Sequence, residues 1–300
     1  LPQALNLFLD QLQKTTHDIK SSTVTELQEI VSQSIDFGTP DLYAKFLLET
    51  GHYEKYQLLK KLLSAYFSAA QSPTSLYPGI EYNKFDKRAL AFLTMIANNK
   101  RIPENIKILS WNYDQQMEIA ASKLRGKNYG KDEMIKGFSC FPNSMDGDAA
   151  ENREKQPFLF HINGVAGHNY EKDCFIAKCS MPDFNTAKEE TFLSFAWENT
   201  ENDEKVSFNE NRASKIKELA RETEILVVVG YSFPFFNRKI DTEIFKCIED
   251  TLTKIYIQDR PNRVSDLVRQ VASQFNLSEA ARENIVPISY TDNYHIPYEL

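Results

Sequence analysis

The sequence predicts an α/β protein, with a doubly wound, Rossmann-like parallel sheet and a helical N-terminal region. Three observations carry this expectation. The run Ile225-Leu226-Val227-Val228-Val229 is continuously apolar and rich in β-branched residues, and Gly230 stops it. Such a run suits a parallel strand covered on both faces. From about residue 212 onward, strand and helix patterns alternate, the signature of parallel strands joined by right-handed helical crossovers. The first hundred residues carry helical periodicity instead.

The elements come in this order. Leu5, Leu7, Phe8, Leu9 and Leu12 give a first helix its apolar face. Ser22 or Thr23 is a candidate cap for a second helix, with Leu27, Ile30 and Val31 facing inward. Thr39-Pro40 is a start signal, a cap followed by proline in the first turn, and Leu42, Phe46 and Leu47 are expected to face the core before Gly51 ends that helix. Another helix runs through Leu58, Leu62, Leu63, Tyr66 and Phe67. Two prolines and Gly79 make Ser72 to Asn83 a loop. A further helix carries Ala89, Leu90, Phe92, Leu93 and Ile96. Residues 20–100 thus read as a helical insertion or cap within one domain spanning 1–300.

After Ile102-Pro103 the texture changes. Ile106 to Leu109 is a short strand, and Met117, Ile119, Ala120 and Leu124 mark the helix behind it. Residues 126–156 are polar and irregular and read as a mobile surface excursion. Pro157 to Ile162 is a second strand, and Cys174 to Ala177 is a strand candidate. A helix over about 212–221 precedes the Ile225 strand. Ile240, Ile244, Cys247 and Ile248 mark the next helix, Ile255-Tyr256-Ile257 the next strand, Leu267, Val268, Val271 and Phe275 another helix, and Ile285 to Ile288 a last strand.

Apolar residues make up 42% of the 300 and charged residues 26%, which is enough to build a sizeable core. The net charge of −7 argues against a broad grip on nucleic acid, which needs clustered Lys and Arg. No apolar stretch approaches the roughly 18–20 residues that span a bilayer, and no charged-then-apolar leader opens the chain. The four cysteines form no paired C-x-x-C clusters, so no metal site is expected, and free thiols fit a reducing cytoplasm.

In open parallel sheets, ligands bind beyond the carboxyl ends of the strands. The residues that follow the four strands are Asn112 and Asp114; His161 and Asn163; Gly230, Tyr231 and Ser232; and Gln258 with Asp259, and polar groups gather at all four ends. Most have two readings. Asn112 offers an amide to a bound ligand, or caps the next helix. Asp114 is a site carboxylate or a favourable first-turn charge. Ser232 is a ligand hydroxyl or turn chemistry. Asp259 is a ligand carboxylate or opens a helix. His161 is a general base or a hydrogen-bonded core histidine. His17, His52, His168 and His295 have no supporting pattern and read as surface or packing residues.

The segment Ile108-Leu109-Ser110-Trp111-Asn112-Tyr113-Asp114 resembles the strand-plus-Asn-x-Asp element of sirtuin-like proteins. Leu226 to Ser232, then Phe233-Pro234, is similar to their later strand ending in Gly-Tyr-Ser. The continuation to Asn237-Arg238 and Asp241 resembles bacterial members, and Phe158 to Gly164 occupies the place of their His-Gly element. The resemblance implies a sirtuin-like NAD-binding domain. It implies Asn112, Asp114 and His161 or Asn163 at the catalytic centre, with Ser110, Gly164, Gly230, Tyr231, Ser232 and Asp259 on the cofactor.

Two features depart from that family. No glycine-rich first loop is present, since residues 1–37 contain no glycine, and Leu1-Pro2 resembles the segment just after that loop. The chain is therefore expected to begin there, lacking one strand and binding NAD poorly. Asn163 stands where the family's histidine does, with His161 two residues earlier; strand alternation is expected to put both on one side. The family's deacylases carry a zinc ribbon that has no counterpart here, so the resemblance leans toward the zinc-less bacterial NAD hydrolases of antiphage defence. Those are often fused to sensor domains or oligomeric. The expectation is hydrolysis of NAD to nicotinamide and ADP-ribose. The alternatives are a catalytically silent NAD- or ADP-ribose-binding sensor module, and an NAD-dependent protein deacylase.

Overall fold

A computed structural model describes residues 1–15, 19–71, 86–126, 138–141, 157–166, 184, 191, 193–195, 197–198 and 216–300. The expected loop at 72–83 and the strand candidate at 174–177 lie outside the described residues, as do 127–137 and 142–156 of the expected excursion. Mixed helices and small parallel sheets make this an α/β protein. The chain divides into two compact units, Leu1–Asp86 with Glu104–Phe195, and Lys87–Pro103 with Ala196–Leu300. The helical stretch expected as one cap over 20–100 is thereby shared between them.

The first unit opens with α1 (Pro2–Thr15), α2 (Ser21–Asp36), α3 (Pro40–Glu49) and α4 (Tyr53–Gln71). Apolar residues three and four apart give each helix one buried stripe: Leu5, Phe8, Leu9 and Leu12 on α1, and Val24, Leu27, Ile30 and Val31 on α2. Neither Ser22 nor Thr23 caps α2; Lys20 stands at the cap position, and the helix starts at Ser21. Thr39 does cap α3, its Oγ1 accepting the Leu42 N–H at 3.2 Å, with Pro40 in the first turn. The inward face of α3 is turned by one residue from expectation. Tyr43, Ala44 and Leu47 are buried, whereas Phe46 is 42% exposed and leans on the Phe37 ring. Gly51, at φ +77°, follows the C-cap and takes the left-handed turn glycine favours. Helix α4 is buried nearly all round, and its Lys60 ammonium lies over the Tyr56 ring, 5.3 Å from the centroid.

The first unit's sheet has β1 (Lys107–Ser110), β2 (Ser139–Phe141) and β3 (Phe158–His161), all parallel in the order β1-β3-β2. Strand β2 lies inside the segment expected to be irregular. Helix α6 (Gln116–Leu124) follows β1; α5 (Lys87–Ile96) belongs to the second unit. In register, Ser110 sits opposite His161, so β1 and β3 end level.

In the second unit, residues 216–220 are helical. Beyond them come β4 (Ile225–Val229), α7 (Arg238–Ile248), β5 (Lys254–Gln258), α8 (Pro261–Gln274), α9 (Glu279–Glu283) and β6 (Ile285–Ile288). The strands are parallel in the order β4-β5-β6. Complete cover was expected for β4, but only Val228 is buried there and Val229 is 38% exposed. The central strand β5 is the covered one, with Ile255, Tyr256, Ile257 and Gln258 buried, because it has a neighbour on each side while β4 is an edge among the described residues. Val264, Leu267 and Val271 of α8, with Phe245, Ile248 and Phe275, close the core over Ile255 and Ile257. Val229 is paired with Gln258, so Gly230 and Asp259 leave the sheet at one level. Among the described residues no helix is long and apolar enough to cross a membrane.

Candidate functional site

At the end of β1 the chain turns sharply. The Asn112 N–H donates to Ser110 Oγ at 3.2 Å, so the Ser110 hydroxyl serves the turn. Asn112 itself is exposed. Asp114 Oδ1 accepts the Gln116 N–H at 3.2 Å, which makes it a helix-start acceptor for α6. Burial is the main influence on its carboxyl and pushes it above the ordinary range; the Gln116 N–H and His161 work in the opposite direction.

The chain leaving β3 packs alongside. The Ile162 N–H donates to the Ser110 carbonyl at 2.8 Å, and Asn163 Nδ2 donates to the Trp111 carbonyl at 3.0 Å. Gly164, at φ +69°, closes a turn by donating its N–H to the His161 carbonyl at 3.1 Å. Strand geometry stops at His161, so the alternation expected to place 161 and 163 on one face does not extend that far. His161 is buried, and its ring binds a residue outside the strand-end set: its Nε2 is 2.8 Å from Glu118 Oε1 on α6. The two side chains are each 2% exposed. Burial disfavours the imidazolium, but the Glu118 carboxylate, its hydrogen bond and the Asp114 charge outweigh that and hold His161 above the ordinary histidine value. A signal for Glu118 was present in the spacing. Gln115, Glu118 and Ser122 form a polar stripe three and four residues apart on a helix whose other faces carry Ile119, Ala120 and Ala121, and all six are buried.

In the second unit, Gly230 adopts φ +62° and donates its N–H to the Gln258 carbonyl at 2.9 Å. Tyr231 is tied down: its hydroxyl is 3.0 Å from both Asp241 carboxylate oxygens and accepts from Asn237 Nδ2 at 2.8 Å. The Asn237-Arg238-x-x-Asp241 spacing thus has a structural cause, since both polar groups converge on one phenol. Burial pushes the Asp241 carboxyl up to about 7, against the Tyr231 hydrogen bond, and burial followed by the Asp241 charge raises the Tyr231 hydroxyl. Phe233, buried at φ +48°, packs its ring on Tyr231 with centroids 4.8 Å apart. Ser232 is exposed.

Asp259 is 6% exposed, and its carboxylate accepts the Arg260 N–H at 2.6 Å at the start of α8. Beside it, Gln258 is a structural clasp. Its Nε2 donates to the Tyr290 and Asn293 carbonyls at 2.7 and 2.6 Å, and its Oε1 accepts the His295 N–H at 2.9 Å. His295, expected to be a surface or packing residue, is buried against the Tyr256 ring. An open depression of about 660 Å³ lined by Asn98, Asn99, Arg101, Ile102 and Pro103 includes none of the candidate residues. Among the described residues no three His, Cys, Asp or Glu side chains gather as a metal site would require.

The candidate residues therefore form two groups. Ser110, Asn112, Asp114, His161, Asn163 and Gly164 share the level ends of β1 and β3; Gly230, Tyr231, Ser232 and Asp259 share those of β4 and β5. No protein-family model matches the chain, and no curated protein matches it at a significant level.

Proposed function

We propose that this chain is an NAD-binding domain of the sirtuin-like kind, on a doubly wound Rossmann-like sheet, and that it hydrolyses NAD to nicotinamide and ADP-ribose. The observation that supports it most is positional: all ten candidate residues stand at or just beyond the carboxyl ends of parallel strands, where ligands bind in such sheets. Gly230, with open space around its Cα, lets a ribose or phosphate approach the backbone closely. Exposed Asn112 has an amide available for a ribose hydroxyl or a water.

In the reaction the ribose C1′–N bond breaks and its electron pair leaves with nicotinamide. Water oxygen then bonds to C1′ and passes its proton to His161. Holding the ribose and water in line is the main contribution asked of the site. By the resemblance the setting is antiphage defence in a bacterial cytoplasm, with a sensor domain or further copies of the chain as partners.

A second reading is a binding module without turnover. The observation favouring it is that His161 is buried and bonded to Glu118 while Asn163 Nδ2 donates to the Trp111 carbonyl. Incubation with NAD, resolved by chromatography, separates the two. Equal release of nicotinamide and ADP-ribose supports the hydrolase; NAD retained intact on the protein selects the binding module. If NAD is neither bound nor cleaved, both readings fall.

A further inference from the structure

We propose that Glu118 is the positioning residue of His161, and that the two form a buried carboxylate–imidazole couple whose proton-accepting atom is Nδ1. Its consequence for turnover rests on the hydrolase reading; the couple itself does not.

Glu118 is a carboxylate at 1% exposure on a helix packed among Ile119, Ala120 and Ala121. A charge placed there is costly unless it is paired. Its Oε1 meets His161 Nε2 at 2.8 Å, and among the described residues its Oε2 makes no hydrogen bond. A carboxylate only accepts, so Nε2 must carry a hydrogen in the neutral as well as the charged imidazole. That fixes the neutral tautomer and leaves the lone pair on Nδ1. Nδ1 is buried and makes no hydrogen bond among the described residues. Among the described residues, the charged and titratable groups acting on the ring are Glu118 from α6 and Asp114 from the β1–α6 turn, and the Asn112 main chain acts with them. All three favour the protonated ring.

Two structural facts place the couple beside the candidate strand ends. His161 is the last residue of β3 and lies in register with Ser110, the last of β1. Glu118 stands four residues beyond Asp114, in the first turn of the helix that β1 feeds. The Asn-x-Asp element and the histidine are thereby linked through a helix residue that the strand-end pattern does not include. Glu118 touches no reacting atom in this scheme; it acts by holding the ring.

The test is nitrogen-15 NMR of the imidazoles through a pH titration of wild-type protein, Glu118→Gln and Glu118→Asp, with His161→Gln to assign the resonance. The expected wild-type result is an Nε2–H neutral tautomer for His161 with a midpoint above that of an ordinary histidine. In Glu118→Gln the midpoint falls below the ordinary value, because burial remains while the charge is gone; Glu118→Asp restores part of the shift. An Nδ1–H tautomer for His161 in the wild type overturns the proposal whatever the Glu118 variants do. So does an unchanged midpoint in Glu118→Gln.

Nicotinamide release is measured on the same samples. Its acid limb is expected to move to lower pH in Glu118→Gln by the same extent as the NMR midpoint. A limb that stays put overturns the role of the couple in turnover. If the wild type releases no nicotinamide while the tautomer and midpoint behave as stated, the hydrolase reading falls and the couple stands.

Discussion

Replacing Asp241 with asparagine should remove a pH dependence built into the second unit. The Asp241 carboxyl is 2% exposed and burial pushes it up to about 7, from the ordinary carboxylate value of 3.8. A raised acid binds a proton in the folded state that the unfolded state has already released. Stability contributed by the protonated form is therefore present at low pH and is lost as pH rises between the two values. At about 1.4 kcal/mol per unit, the full window amounts to about 4 kcal/mol, of which about 2 to 3 kcal/mol falls between about pH 5 and about pH 8. Asp41, raised by burial to about 6, and Asp114, raised mainly by burial, slope the same way. The comparison must therefore be between Asp241→Asn and wild type rather than on wild type alone. Asparagine keeps an oxygen for the Tyr231 hydroxyl, 3.0 Å away in the wild type, and has no charge to desolvate. Urea unfolding at the two pH values, followed by hydrogen exchange of β4 and β5 amides, reads the difference. Asp241→Asn should lose about 2 to 3 kcal/mol less than wild type on going from about pH 5 to about pH 8. Equal losses in the two proteins would refute the reasoning.

Two further substitutions probe the strand ends. Gly230→Ala meets no atom within 4 Å of the added Cβ, so its cost is backbone strain at φ +62° alone, about 1 to 2 kcal/mol by chemical denaturation. A loss well above that would mean a packing role for the position. Gln258→Leu breaks three hydrogen bonds that clasp residues 290–295, at about 1 kcal/mol each. The C-terminal segment should then be cut faster in limited proteolysis with peptide mapping, and unchanged cleavage would show that Lys254, Tyr256 and Glu299 hold it without help.

Legibility in the sequence tracks how local each signal is. Thr39-Pro40 announced α3 because a cap and a first-turn proline act within one turn, and the structure has that hydrogen bond. The strands at Lys107, Phe158, Ile225, Lys254 and Ile285 were legible as short apolar runs, as was the gathering of polar residues at their ends. Burial depends on neighbours distant in sequence. This is why Phe46 and Val229 proved more exposed than their apolarity suggested, and why Ser139–Phe141, a three-residue strand between polar stretches, went unread. Pairing is least local of all. Glu118 and His161 are 43 residues apart. Only the register of β1 against β3, with α6 behind, brings them together, and no spacing rule spans that distance.

Action of the strand-end groups on NAD is tested most directly by nicotinamide release from NAD with wild type, Asn112→Ala, His161→Ala and Asn163→Ala, each resolved by chromatography. The predicted result is release by wild type and Asn163→Ala, and its loss in Asn112→Ala and His161→Ala while both remain folded. Release that survives His161→Ala and disappears with Asn163→Ala would contradict the assignment of the base. No release from any of the four would contradict the hydrolase itself.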